Sequence, residues 1–441
     1  MPWPSRRRGG WIRVPWVCRS TDEWRARVRG AETPAVTAVV AQILADVRQG
    51  GDAAVRGWTR RLDRVDRPTS RVAWTDAPAL PPALADALAL AGERIRAFAT
   101  WSRPPVARDG LSGGGLTVRT VWEPLGRVAV YVPAGRFPLA STLLMGVIPA
   151  QVAGVRDIVV LTPPRADGEP DPVTLAAAAW LGIQEVHAIG GAQAVGATAY
   201  GTESVRPVDA LVGPGNVYVT EAKRQVAHQI RIDGLNGPSE VVVWGEPPAS
   251  AAQAARDLLA QAEHDPASVA LAVSQDVAWL DEVGRIACAL SPALTSQPGV
   301  GGVVVTTPDE AVRFVNALAP EHLELWGPAG VYADELTHAG ATFIDCPSPL
   351  GDYVAGPNHV LPTGGRARRQ SVLGVEDFLR RRTETRQVGN PERLADQAAV
   401  LAAAEGLERH HDALAAFAAA EASRSVSAEA VTRQAPQGVA R

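Results

Sequence analysis

Val128-Ala129-Val130-Tyr131-Val132, stopped by Pro133-Ala134-Gly135, is the stretch whose reading decides the fold. Five largely apolar residues closed by a Pro/Gly break read as a fully buried strand. A helix-like run, 141–152, follows. The pattern then recurs. Ile158-Val159-Val160-Leu161 ends at Pro163-Pro164 and precedes a helical run, 172–181. Val186-His187-Ala188-Ile189 breaks at Gly190-Gly191 before a helix over 193–199, and Ala210-Leu211-Val212 breaks at Gly213-Pro214-Gly215-Asn216. Strand, glycine break, helix, repeated, is the pattern of a parallel sheet with crossover helices. Ligands of such sheets sit beyond the carboxyl ends of the strands, where these breaks lie. No strict G-x-G-x-x-G follows a strand. Gly190-Gly191-Ala192-Gln193 and Gly213-Pro214-Gly215-Asn216 could cradle a phosphate with backbone N–H groups, or be ordinary turns.

A second block of the same texture runs downstream. Strands are expected at 241–243, 269–273, 303–305 and 341–344, with helices over 251–259, 279–290 and 308–318 and a turn or short helix at 336–340. The Gly- and Pro-rich segment 346–369 is too long for a mere connection, and its Asp, Tyr, Asn and His residues mark it as functional. Upstream, Val36, Val39, Val40, Ile43, Leu44 and Val47 keep helical spacing until Gly50-Gly51 stops them; helices over 52–62 and 82–101 follow. Residues 391–422 read as an Ala-rich helical region with a frayed tail after Ser425. The expected fold is α/β, with two Rossmann-like parallel-sheet domains, the second inserted in the first, and helical N-terminal and C-terminal segments that mediate dimerisation. Residues 1–30 form an arm, 31–126 with 239–375 the first α/β domain, 127–238 the second, and 376–441 a C-terminal helical segment.

The bulk numbers narrow the field. With 441 residues, 46% hydrophobic and 20% charged, the chain has the length for several domains. A formal net charge of -4 gives no global basic field for nucleic acid. The runs Arg6-Arg7-Arg8, Arg366 to Arg369 and Arg380-Arg381-Arg382 read as solvated charge, and Lys223 is the sole lysine. Cys18, Cys288 and Cys346 are odd in number and far apart, which argues against a disulfide framework or a cysteine zinc site and fits a reducing cytoplasm. No stretch has the length and apolarity to span a membrane.

Polar blocks interrupt the apolar sequence: Gln261-Ala262-Glu263-His264-Asp265, Pro320-Glu321-His322-Leu323-Glu324, Gly351-Asp352-Tyr353, Gly356-Pro357-Asn358-His359, and Glu405-Gly406-Leu407-Glu408-Arg409-His410. Gln261 and His264, three apart, would share one helix face. Gln261, His264, Asp352 and His410 together would offer a metal two nitrogens and two oxygens. The bland reading of each is a surface or capping residue, and His411 is the natural decoy for His410. Glu321-His322 offers an acid/base pair. His187 reads as a core or edge residue, and His228 and His338 as surface.

These blocks, in this order, resemble histidinol dehydrogenase. Matching stretches include Tyr131-Val132-Pro133, Gly190-Gly191-Ala192-Gln193-Ala194, Val212-Gly213-Pro214-Gly215-Asn216, Gly237-Pro238-Ser239-Glu240, Gln261 to His264, Pro320 to Glu324, Gly351 to Thr363, and Glu405-Gly406-Leu407 with His410. The resemblance spans about residue 30 to residue 415. It implies a zinc-assisted, NAD-dependent four-electron oxidation of L-histidinol to L-histidine through bound L-histidinaldehyde, the last step of histidine biosynthesis. It implies one zinc per subunit on Gln261, His264, Asp352 and His410. His322 would be the general base for the alcohol proton, and Glu321 would activate water at the aldehyde. Ser239, Gln261, His264, Glu321, His322, Asp352, His359, Glu405 and His410 match substrate contacts; Tyr131, Gln193 and Asn216 match NAD contacts. It further implies a cytoplasmic homodimer in which the C-terminal segment completes the partner's site.

The sequence departs from the commoner pattern at Ala134, Arg136 and Asn236, and at Ser348, four residues before Asp352, where some members carry Glu. These departures bear on substrate choice. The alternative they raise is a paralogous zinc- and NAD-dependent dehydrogenase of another small polar alcohol, such as a sulfopropanediol. A non-catalytic relative would be expected to lose Glu321 or His322, and both are present.

Overall fold

The repeated strands close into two parallel sheets. The computed structural model describes residues 23, 24, 28, 34–73, 78–108, 110–134 and 139–433. Most of the expected arm, Arg136, Cys18 and the last eight residues lie outside them. Of the arm, Trp24 and Val28 are buried in this chain's own core.

By its contacts the chain divides into two units. The larger comprises residues 1–103 and 125–378, the smaller 104–124 and 379–441. In chain order, the helices are α1 (Pro34–Leu62), α2 (Pro82–Ser102), α3 (Ala140–Ala153), α4 (Pro172–Trp180), α5 (Gly191–Tyr200), α6 (Val217–Val226), α7 (Ala251–Ala262), α8 (Val277–Leu290), α9 (Pro308–Leu318), α10 (Glu392–Ala404) and α11 (Glu408–Arg433). Two short helical turns, Pro292–Thr295 and Ser348–Leu350, add to these. The strands are β1 (Ala107–Arg108), β2 (Ser112–Gly113), β3 (Leu116–Pro124), β4 (Arg127–Tyr131), β5 (Asp157–Thr162), β6 (Glu185–Ala188), β7 (Ala210–Val212), β8 (Arg231–Ile232), β9 (Glu240–Gly245), β10 (Val269–Ser274), β11 (Val300–Val304), β12 (His322–Trp326), β13 (Ala341–Ile344) and β14 (Leu379–Gln387).

In the larger unit, one sheet runs β6-β5-β4-β7-β8 and the other β11-β10-β9-β12-β13, all parallel. Each places its first strand, β4 or β9, beside its fourth, β7 or β12. The order reverses there, as at a Rossmann switch point. On the first sheet, α1, α5 and α6 supply a core in which Val40, Ile43, Leu44 and Val47 meet Ala129, Tyr131 and Leu211. α1 breaks at Gly51, whose backbone is not helical (φ 51°), as Gly50-Gly51 led one to expect. The second sheet is cored on both faces. Val242, Trp244, Leu323 and Leu325 pack with α9, and Val241 and Val243 with α7 and α8.

The turn after β7 is held from beneath. Gly213 has φ 113°, and a Cβ there would lie 2.0 Å from the Tyr131 carbonyl oxygen, so only glycine fits. The buried Lys223 ammonium donates to the Gly213 carbonyl and to Asp233 Oδ1, the latter at 2.6 Å. Asp233 Oδ2 accepts the Gly213 N–H at 2.8 Å.

The smaller unit contains strands the sequence hid, as it hid β8 and β12 of the larger unit. β3 pairs antiparallel with β14 along nine residues of each, and with β1 and β2. β14 reads Leu-Arg-Arg-Arg-Thr-Glu-Thr-Arg-Gln, with no apolar periodicity; its register is drawn by partners across the ladder. Arg382 Nε donates to Glu123 at 2.9 Å, Arg380 pairs with the same carboxylate, and Arg119 pairs with Glu384 at 2.9 Å. Arg380 and Arg382 are solvent-exposed charge, as expected, and are in addition paired across the ladder. The expected Ala-rich region is two helices, α10 and α11, that pack on each other, with Glu405-Gly406-Leu407 as the break. Gly406 there has φ 73°.

Candidate active site

The sequence of α9 explains how Glu321 and His322 are delivered. Ala311, Phe314, Val315 and Leu318 bury one stripe, and Thr307 caps the first turn. The helix ends at Ala319 in a left-handed conformation (φ 55°), and Pro320 blocks its continuation. Glu321 follows, and His322 opens β12. Along β12 the residues alternate: Leu323 and Leu325 enter the core, while His322, Glu324 and Trp326 share the other face.

His322 is buried and engaged on both nitrogens. Nδ1 lies 3.1 Å from the Glu240 carbonyl oxygen, and Nε2 lies 3.0 Å from the Asp352 carboxylate. A carbonyl can only accept, so the Nδ1–H donor is assigned from this bond. Glu321 Oε2 is 3.6 Å from Nδ1. The ring stacks on Phe343 with centroids 5.9 Å apart. Gly351 makes this possible, because a Cβ there would fall 2.0 Å from the Phe343 ring. Burial by itself disfavours a charged imidazole. Facing it, the Asp352 and Glu321 carboxylates outweigh burial and hold His322 well above its ordinary value.

Around this pair the larger unit gathers further polar groups. Glu321 Oε2 accepts the Glu240 N–H at 2.8 Å, and Glu240 Oε2 accepts the Glu321 N–H at 3.3 Å. Glu240 Oε1 accepts the Gly364 N–H at 2.6 Å. Burial, with Glu321's charge adding to it, pushes the Glu240 carboxyl up to about 8. His359 Nδ1 lies 3.0 Å from the Asp352 carbonyl, and its Nε2 3.2 Å from Thr142 Oγ1 on α3. Burial lowers the His359 value. Ser239 is half-buried at the entry to β9.

Gln261 is 5% exposed in the last turn of α7; His264 is exposed two residues beyond the helix end at Ala262. The two therefore share a C-terminal turn rather than a continuous helix face, with the His264 N–H 3.4 Å from the Gln261 carbonyl. Among the described residues no three or more of His, Cys, Asp and Glu converge as a metal group. The expected donors number only two of those types in the larger unit, His264 and Asp352. Glu405 and His410 belong to the smaller unit and are exposed; His411 is half-buried beside Asp412.

The expected cofactor residues lie at the carboxyl ends of the first sheet. Tyr131 ends β4, and its hydroxyl accepts the Gly191 N–H at 3.2 Å; burial pushes it up to about 12. Gln193 is buried, with Nε2 3.4 Å from Asp63 Oδ2 and with Oε1 lacking a partner. Asn216 caps α6 through Oδ1, accepting from the N–H groups of Tyr218 and Val219. In the second sheet the expected residues gather instead at the amino ends, where His322 opens β12 and Ser239 precedes β9. His187 is buried as expected, His228 is exposed, and His338 is half-buried.

The sequence profile of the histidinol dehydrogenase family matches residues 27–416. The chain belongs to the histidinol dehydrogenase family. It is 41% identical over 404 residues to histidinol dehydrogenase from Gluconobacter oxydans, covering 87% of this chain and 93% of that one. It is 43% identical over 400 residues to the enzyme of that name from Deinococcus radiodurans, covering 84% and 88%. Its fold matches the crystal structure of histidinol dehydrogenase from Elizabethkingia anophelis with a TM-score of 0.84 at 29% identity, covering 90% and 96%. The family is one of oxidoreductases of histidine biosynthesis. The paralogue reading, a dehydrogenase of some other small alcohol, gains no support from these relatives.

Glu240, Phe343 and Thr363 were not singled out from sequence. Thr363 Oγ1 accepts the Gly237 N–H and so ties the 346–369 segment to the entry of β9. Glu240 was visible in Gly237-Pro238-Ser239-Glu240, but a carboxylate that works by holding backbone amides has no spacing signature.

Proposed function

We propose that this family member oxidises L-histidinol to L-histidine in two successive steps through L-histidinaldehyde. The observation that carries the reading is His322, buried between the Glu240 carbonyl and the Asp352 carboxylate with Glu321 beside it. That is an acid/base pair at a water-poor site.

The residues suit a divalent cation. Asp352 and Glu321 put enough negative charge into one buried region to hold a proton on His322, and a cation would relieve it. Gln261, His264 and Asp352, with His410 contributed by a second copy of the chain, would give the mixed nitrogen and oxygen set that zinc takes. The residues also suit NAD: the unpartnered Gln193 Oε1, Tyr131 and Asn216 line the carboxyl ends of the first sheet. When bound, zinc would orient and polarise the amino alcohol, and NAD would accept hydride at each step.

The chain's own residues do the rest. Nδ1–H stays on the Glu240 carbonyl, which leaves Nε2 to take the alcohol proton. Glu321 takes a proton from the water that adds to the aldehyde carbon, giving the hydrate for the second oxidation. Ser239, His359 and Glu405 hold the substrate. The smaller unit supplies Glu405 and His410 to a second copy of the chain, so that the working form is a homodimer with shared sites. In support, Leu394, Val400, Leu401, Leu407 and Phe417 of that unit are exposed. The setting is cytoplasmic; Cys288 and Cys346 are free thiols, and no helix among the described residues is long and apolar enough to cross a membrane.

The test is the NADH yield per histidinol with purified, zinc-loaded protein. About two NADH, with histidine as product, is expected for two hydride transfers. One NADH with aldehyde released would remove the assigned role of Glu321; none would overturn the substrate.

A further inference from the structure

Asp257 and Glu324 carry carboxyl groups that the mechanism does not use. Asp257 is 3% exposed and Glu324 fully buried. Asp257 sits on α7 one turn before Gln261. Glu324 shares the β12 face of His322. Glu324 Oε1 accepts the Ser348 N–H at 2.7 Å, and Oε2 accepts the Trp326 indole N–H at 2.9 Å. Ser348 begins the helical turn that leads to Asp352, and α7 packs against that turn.

Asp257 Oδ1 accepts from Gln253 Nε2 at 2.8 Å, but Oδ2 is buried with no donor facing it. The carboxyl lies within hydrogen-bond reach of Glu324. Two ionised carboxylates there would repel each other and leave an oxygen orphaned. One proton between them removes both defects. Asp257 then donates to Glu324, which accepts three hydrogen bonds, within the capacity of a carboxylate. The direction of the Asp257 titration agrees: burial, with Glu324's charge adding to it, pushes Asp257 up to about 8. Arg256 and Gln253 on α7 act the other way and are outweighed; Cys346 is the other titratable neighbour.

We propose that Asp257 and Glu324 are positioning residues that share one proton, and that this node ties together the three elements bearing Gln261, His322 and Asp352. The proposal rests on the reading of those three residues as the site. Ser348 takes part through its backbone, so the departure at this position does not break the node.

The experiment compares two isosteric amide replacements. Asp257→Asn keeps a donor toward Glu324. Glu324→Gln leaves one oxygen for the Ser348 and Trp326 N–H groups, so its NH2 is turned toward one of these donors. Amide hydrogen exchange of segment 346–352 in the metal-free protein is the first readout. It should be unchanged in Asp257→Asn and at least about tenfold faster in Glu324→Gln, since a lost hydrogen bond is worth about that factor. Zinc affinity, by chelator competition, should hold in Asp257→Asn and fall about tenfold or more in Glu324→Gln, the usual cost of losing a residue that orients ligands. If Glu324→Gln does not fold, Asp257→Leu, which removes the donor and keeps the bulk, takes its place. Equal impairment by both amides would overturn the shared proton, and unchanged exchange in both would overturn the node. Gln261→Ala and Asp352→Ala are the controls. If they leave zinc affinity untouched the site reading fails, and the exchange readout still decides on the node.

Discussion

Glu240 and Glu321 hold each other's backbone amide. The Glu240 N–H donates to Glu321 at 2.8 Å, and the Glu321 N–H donates to Glu240 at 3.3 Å. Glu240 also holds the Gly364 N–H. Glu240→Ala strands the buried Glu321 amide, at about 1–3 kcal/mol, and the half-buried Gly364 amide, at less. The denaturant midpoint should fall accordingly, while Glu240→Gln, whose single oxygen can keep only one of the two bonds, should lose about half as much. Similar losses in both would mean the bonds contribute little.

His322 gives the protein a pH signature. Its folded value lies well above the ordinary 6.5, so the folded state keeps a proton that the unfolded chain releases. That stabilisation is fully present below about 6.5 and fades as pH rises through the raised folded value. In metal-free protein, stability should therefore decline across that window, and His322→Asn should flatten the decline. Denaturant titrations at a series of pH values measure both. Zinc should displace the proton, seen as proton release on metal addition and lost in His322→Asn.

Gly351 and Phe343 are in closer contact than any Cβ allows. Gly351→Ala must move the ring that stacks on His322. Overpacking of this kind costs about 1–3 kcal/mol. Misplacing the base is expected to lower kcat about a hundredfold, while NAD KM holds. Steady-state kinetics that return wild-type kcat would remove the positional role of Phe343.

Lys223 and Asp233 pin the Gly213-to-Asn216 turn from below. Lys223→Met leaves a buried carboxylate unpaired, a loss of about 3–5 kcal/mol. A Lys223→Met/Asp233→Leu pair should recover much of the stability yet keep a raised KM for NAD. Recovery of both would separate the turn from cofactor binding.

Much of this was legible because strands buried on both faces read as continuous apolar runs. β4, β5, β7 and β10 have no other plausible reading, and Gly51 marked its helix break. β11 was placed late because Gly301 and Gly302 dilute its apolar signal. β14 could not be read at all, since its register comes from Glu123 and Arg119 on a strand far away in sequence. Within the site, the sequence offered Glu321, His322 and Asp352 as residue types. Their assembly depends on Glu240, Gly351 and Phe343, whose contributions are a carbonyl, an absent Cβ and a ring face.

The single lysine bears on handling the protein. Its side chain is 2% exposed, with the ammonium committed to Asp233 and Gly213. Amine-reactive dyes and crosslinkers therefore meet no lysine on the folded surface, and a lysine-specific protease finds no accessible bond. Modification or cleavage at Lys223 becomes a direct reporter of the moment that this part of the fold opens.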